Sequence, residues 1–213
     1  MMMDIRTVFL IMTLGLALLL PPVLPATEEG DKRDQTPGRG LDRVSIEYYL
    51  PLDADRNIRT LNVNGYSRIR EFAAVKMTLH GVLTATYASG DITQVADEFS
   101  EEEETYPEVH YTNEAFGIGP GILGEVSLWR RGRFSLDLAG SGSIIFYTQR
   151  FPAGGELYNF MWRGGPACRY ELTHNQGISL GYKWMHVSNG QGVGPHNPSY
   201  DAHGLSFFFS NRF

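Results

Sequence analysis

The sequence has a single cysteine in 213 residues, Cys168, so no intramolecular disulfide can form and the fold must rest on packing and backbone pairing. The ordinary role for such a residue is a small buried or lipid-facing side chain. Basic excess is also missing. Eighteen Lys and Arg stand against 24 Asp and Glu, a net charge of −6, which excludes the usual electrostatic footprint of a nucleic-acid partner. Beyond the first 26 residues there is no long apolar run and no convincing amphipathic helix, which excludes a helical membrane domain and a helical bundle.

The one apolar run, Val8 to Leu20, follows Arg6 and leads through prolines to Ala26. It falls short of the roughly 20 residues that a spanning helix needs, so residues 1–26 read as a secretory signal peptide, with Leu24 an imperfect residue before the cleavage site. Residues 27–40, TEEGDKRDQTPGRG, are polar and aperiodic and read as a flexible linker. Residues 41–213 then form one domain, and strand signals dominate it.

Val44, Ile46 and Tyr48 alternate on a first strand, and Pro51 to Asn57 reads as a loop. A second strand carries Leu61, Val63 and Gly65 and ends near Arg70. A third, from Ala73 to Tyr87, has a long period-2 run. Ser89 to Thr112 reads as a solvated acidic loop whose Glu101 to Glu104 could also bind a divalent cation. Ile118 to Leu128 and Phe134 to Phe146 give strands four and five, joined by a tight turn at Arg130 to Gly132. Leu157 to Leu172, Gly177 to Ser188 and Leu205 to Phe213 complete eight. Joints after strands two, four and six read as short and those after one, three, five and seven as long. Apolar-out, polar-in alternation, an even strand count and this asymmetry predict an all-β fold, an eight-stranded antiparallel transmembrane β-barrel. The terminal Phe213 fits the C-terminal signal by which the barrel-assembly machinery recognises outer-membrane barrels. A soluble sandwich or lipocalin-like barrel is the competing architecture, since alternation alone does not say what covers the apolar face.

On strand seven Ile178, Leu180, Tyr182, Trp184, His186 and Ser188 share one face. The oily side therefore ends in a base and a hydroxyl, at the long-loop end of the barrel. Residues two apart on a strand lie roughly 6–7 Å apart, so the two side chains must lean together to act as base and nucleophile. His186, His196, His203 and Asp201 together also have a composition suited to zinc, although their spacing matches no closed-site pattern.

Lys183-Trp184-Met185-His186-Val187-Ser188-Asn189-Gly190, then Asn197-Pro198 and Asp201, resembles the signature of the PagL family of outer-membrane lipid A 3-O-deacylases. The resemblance implies His186 as base, Ser188 as nucleophile and Asn189 as the oxyanion-hole residue. It implies an acid near Asp201, where the family commonly has glutamate; Glu156 and Glu171 are the weaker candidates. Gly190 stands where alanine is common, a difference expected to matter little. No cofactor and no metal are implied. The partners implied are lipid A or lipopolysaccharide as substrate and the outer membrane itself, with a homodimer left open. Two other readings remain at this level: a non-catalytic structural or adhesive barrel, and an outer-membrane phospholipase using the same residues.

Overall fold

The structure is a computed structural model and describes residues 40–95, 108–190 and 198–211. These all belong to the unit Pro37–Phe213. The segments expected to be a signal peptide and, in nearly all its length, a linker, together with Glu101 to Glu104, His196, Asn197 and Phe213, lie outside the described residues.

The eight strands are β1 (Arg43–Pro51), β2 (Arg56–Phe72), β3 (Met77–Val95), β4 (Glu108–Arg131), β5 (Phe134–Tyr147), β6 (Tyr158–Glu171), β7 (Gln176–Ser188) and β8 (Tyr200–Asn211). Each pairs antiparallel with its sequence neighbour, and β8 returns to β1, closing the barrel. Paired positions followed from Val187 through Met161, Ser143, Gly121, Val82, Tyr66, Arg43 and Ser210 return to β7 at Gly177, ten residues nearer its start. That stagger tilts the strands and leaves an eight-stranded interior just wide enough for side chains to fill.

Alternation sorts the residues between two environments. The outer wall exposes Leu83, Ile118, Ile122, Phe146, Leu180 and Phe207 among many other large apolar side chains. Water would not leave a belt of this extent uncovered, whereas a bilayer accepts it. Inside, two layers follow one another along the axis. The half near the tight turns holds charge: Glu47 accepts from Arg163 at 2.9 Å and from Lys183 at 2.5 Å, and Arg43 pairs with Glu125 at 2.6 Å. The half near the long loops is apolar, packed from Ile58, Ile92, Met161, Met185, Val187 and their neighbours. The β5–β6 loop turns Phe151 into this layer, fully buried, and Asn159 donates to its carbonyl.

Three expectations change. The joint after strand one is only residues 52–55, because β2 begins at Arg56 and pairs with β3 as far as Ile92, so that loop is as short as the turns at the other end. Ala73 and Val75 belong to a single 3-10 turn, and the third strand starts at Met77. The acidic segment read as a loop from Ser89 to Thr112 is strand at both of its ends: β3 and β4 stay paired from Ser89↔Glu114 out to Val95↔Glu108. Here Thr112 donates to Asp91 and Thr93 bonds His110, so polar cross-strand pairs hold a hairpin that apolar alternation could not reveal.

Candidate active site on the outer wall

Strand β7 carries Tyr182, Trp184, His186 and Ser188 outward, while Lys183, Met185 and Val187 are buried in the lumen. Its end falls at the rim of the long loops, so the imidazole and the hydroxyl emerge through the apolar wall just below that rim. Register then supplies the third group. His186 stands directly opposite Asp201 on β8, and His186 Nδ1 lies 2.9 Å from Asp201 Oδ1. Both side chains are about one-third exposed, 32% and 35%. With Nδ1 held by the carboxylate, Nε2 is the ring nitrogen left to face a hydroxyl. Ser188 Oγ makes no hydrogen bond to His186, as expected from two side chains standing upright two residues apart.

Asn189 follows Ser188 just beyond β7 and its side chain is 1% exposed, so it does not share the open position of Ser188. Gly190 has φ of +81°, in the left-handed region that side chains with a Cβ rarely adopt. The glycine here is therefore part of how the chain turns out of β7, contrary to the expectation that alanine would serve equally. Glu171 pairs with Arg130 at the tight-turn end, far along the barrel from His186, and Glu156 lies in the β5–β6 loop. His203 faces outward and shares a 2.9 Å hydrogen bond with the Tyr182 hydroxyl. Among the described residues no three carboxylate, imidazole or thiol groups converge as metal ligands. Cys168 is exposed on the wall, opposite Leu136 and Leu180.

Sequence reasoning missed the neighbours across the strands. Trp162 on β6 is paired with His186, and Phe160 with Ser188. Trp184 lies nearly parallel to the His186 ring, centroids 6.2 Å apart. From Phe160 and Trp162 an apolar groove of about 740 Å³ crosses β5 to β4, ending beside Ile122. Gly124, Gly140 and Gly164 lie opposite one another on three successive strands, and Gly142 is flanked by Ile122 and Trp162. Gly124, Gly140 and Gly142 line the groove, and their missing side chains leave its floor open. Its rows descend toward the tight turns as they leave β7, so the groove sinks from the rim into the apolar belt. Gly124 and Gly140 share the parity of their strands' apolar residues, but only register shows that they line up.

No family model matches the sequence, and no curated protein matches it. Among solved structures the chain is similar to the crystal structure of the outer membrane enzyme PagL, with a TM-score of 0.51 and 12% identity over 78% of this chain and 97% of that one. At that identity the likeness extends to the eight-stranded barrel fold.

Proposed function

We propose that this protein is an outer-membrane serine esterase that removes an ester-linked acyl chain from lipid A or a related envelope lipid. The observation that carries the reading is the His186–Asp201 pair beside Ser188 on the apolar outer wall, at the head of a descending groove. An ester carbonyl buried just under the head groups would reach these side chains without leaving the membrane. Its acyl chain would lie in the glycine-floored groove, between Trp162 and Ile122.

In the first step Ser188 Oγ bonds to the carbonyl carbon and its proton passes to His186 Nε2. Asp201 holds the ring orientation and offsets the positive charge that the imidazole gains. In this reading the oxyanion would be met by N–H groups where the chain leaves β7 at Asn189 and Gly190. Collapse breaks the ester C–O bond, and His186 returns the proton to the departing alcohol. Water then attacks the acyl-serine, gives a proton to His186, and releases the free fatty acid as Ser188 regains its hydrogen. Both side chains must rotate toward each other before the first step, a closure that substrate binding would favour.

The test is mass spectrometry of lipid A from cells that express the native chain or Ser188→Ala. Loss of one acyl chain with the native protein alone supports the reading. An unaltered lipid A profile with both proteins, at matched barrel assembly, overturns it for lipid A, and lysophospholipid appearing instead would make the enzyme a phospholipase.

A further inference from the structure

Two turns at the tight-turn end of the barrel differ in charge from the segment that joins β3 and β4. Residues 89–114 contain nine acidic residues and no Lys or Arg, whereas residues 68–76 and 127–133 contain six basic residues and one acidic. Glu71 pairs with Arg68, and Glu171 on β6 pairs with Arg130. Arg70, Lys76, Arg131 and Arg133 are all exposed and have no ion pair among the described residues. In the lumen, by contrast, Arg43, Arg163 and Lys183 each face a carboxylate.

These four cations sit on an apolar ledge. Register shifts at Arg68/Arg70 in β2 and at Ser127/Trp129 in β4 interrupt alternation. The bulges leave Ile69 on one strand, and both Leu128 and Trp129 on the other, more than half exposed or at half. Val75 on the first turn and Phe134 on the second extend the ledge, at 61% and 57% exposure. The two turns are neighbours: Ser127 N–H donates to the Lys76 carbonyl, and the Arg133 carbonyl accepts from Glu171, which braces the second turn on β6. The Arg70 guanidinium carbon also lies 5.0 Å from the centre of the Phe72 ring, over its face.

We infer that this end is a binding surface for anionic phospholipid, with phosphodiester head groups held by Arg70, Lys76, Arg131 and Arg133 and acyl chains against Leu128, Trp129 and Phe134. Cations directly at the edge of an aromatic and aliphatic ledge match a ligand whose negative charge and hydrocarbon are joined at one depth. A free phosphate would use the cations and leave the ledge idle. The inference rests on the barrel spanning a membrane with its tight turns at the inner leaflet, and it is independent of the chemistry at Ser188.

Trp129 supplies the probe. The full chain carrying Trp162→Phe and Trp184→Phe, with Trp129 as its one tryptophan, is reconstituted in phosphatidylcholine vesicles in which a tenth of the lipid is brominated. Brominated phosphatidylglycerol is expected to quench Trp129 as though enriched about fivefold or more over brominated phosphatidylcholine, the preference that even one such cation provides near an anionic surface. Arg131→Ser/Arg133→Ser should bring the two lipids close to parity, and Arg70→Ser/Lys76→Ser should reduce the preference in part, each checked for heat-modifiable gel mobility of the folded barrel. Equal quenching by both lipids in the unsubstituted turns, or a preference that survives the Arg131/Arg133 variant, overturns the inference. So does abolition of the preference by inorganic phosphate at constant ionic strength, which would mark a soluble-anion site. No quenching by either lipid would instead sink the membrane-spanning reading on which the inference stands.

Discussion

Two clusters of ionisable side chains sit on opposite sides of the same barrel wall, and they are built to different rules. In the lumen, Glu47 is fully buried with Arg163 and Lys183, the Tyr49 hydroxyl donates to it, and Arg163 donates further to Asn64, Thr84 and Ser143. The Phe208 ring lies against this group, 4.5 Å from Lys183 Nζ. On the outer wall, His186 and Asp201 share one bond, and Ser188 is left able to turn. Charges taken out of water must be paired at nearly every position or they cost several kcal/mol, so the lumen cluster reads as structure. A cluster with unused donors and acceptors at an apolar face is the one to which the proposed function assigns chemistry. Location reinforces this: Lys183 and Arg163 are buried in the lumen on Glu47, away from the outer wall.

The contrast predicts that the wall cluster can lose a member without unfolding while the lumen cluster cannot. Ser188→Ala should lower ester hydrolysis by at least about 10⁴-fold, measured on purified lipid A or a long-chain p-nitrophenyl ester in detergent, with the gel mobility of the folded barrel unaltered. Asp201→Asn should cost roughly 10³- to 10⁴-fold in kcat, because the amide can favour the wrong imidazole tautomer, and Asp201→Glu should recover much of it. If Asp201→Asn instead leaves kcat intact, the 2.9 Å pair is a surface hydrogen bond and the acid lies elsewhere. Glu47→Ala should leave hydrolysis per folded molecule close to native. It should cost about 3–5 kcal/mol in urea unfolding from vesicles, since it strands two buried cations.

Much of this arrangement could be read from one dimension. Alternation assigned Val44, Ile46, Tyr48, Leu180 and Phe207 to a single outer face, and the structure places each of them there. His186 and Ser188 share that parity with Trp184, so their outward position needed no partner strand. Three things were illegible because they are relations between strands. The resemblance named Asp201 as the acid, but that it stands directly opposite His186 depends on how β8 slides against β7, which sequence spacing does not reveal. Glu47, Arg163 and Lys183 are 116 and 136 residues apart along the chain and meet only when the barrel closes. The extension of β3 and β4 beyond Tyr87 and Phe116 is carried by polar pairs, which in sequence look like a loop.

The smallest effect tests the groove, which is the least direct part of the proposed function. A Cβ at Gly140 would meet no atom within 4 Å, and at Gly124 only the Gly140 carbonyl at 3.9 Å. Gly142 is tighter, with the Trp162 ring 3.0 Å away. Gly140→Leu can therefore be accommodated by the barrel while its side chain occupies the floor of the groove that starts at Phe160 and Trp162. If an acyl chain lies there, KM for a long-chain ester should rise by about tenfold, near 1.4 kcal/mol of lost contact, while a butyryl ester too short to cross β5 is cleaved as before. Equal loss on both esters would mean that the substitution disturbs His186 through Trp162, and no loss on either would place the acyl chain on the other side of β7, over Tyr182 and His203. A selective loss is the one outcome that follows from a chain descending along the glycine row, because only then does chain length decide whether substrate and leucine compete for the same volume.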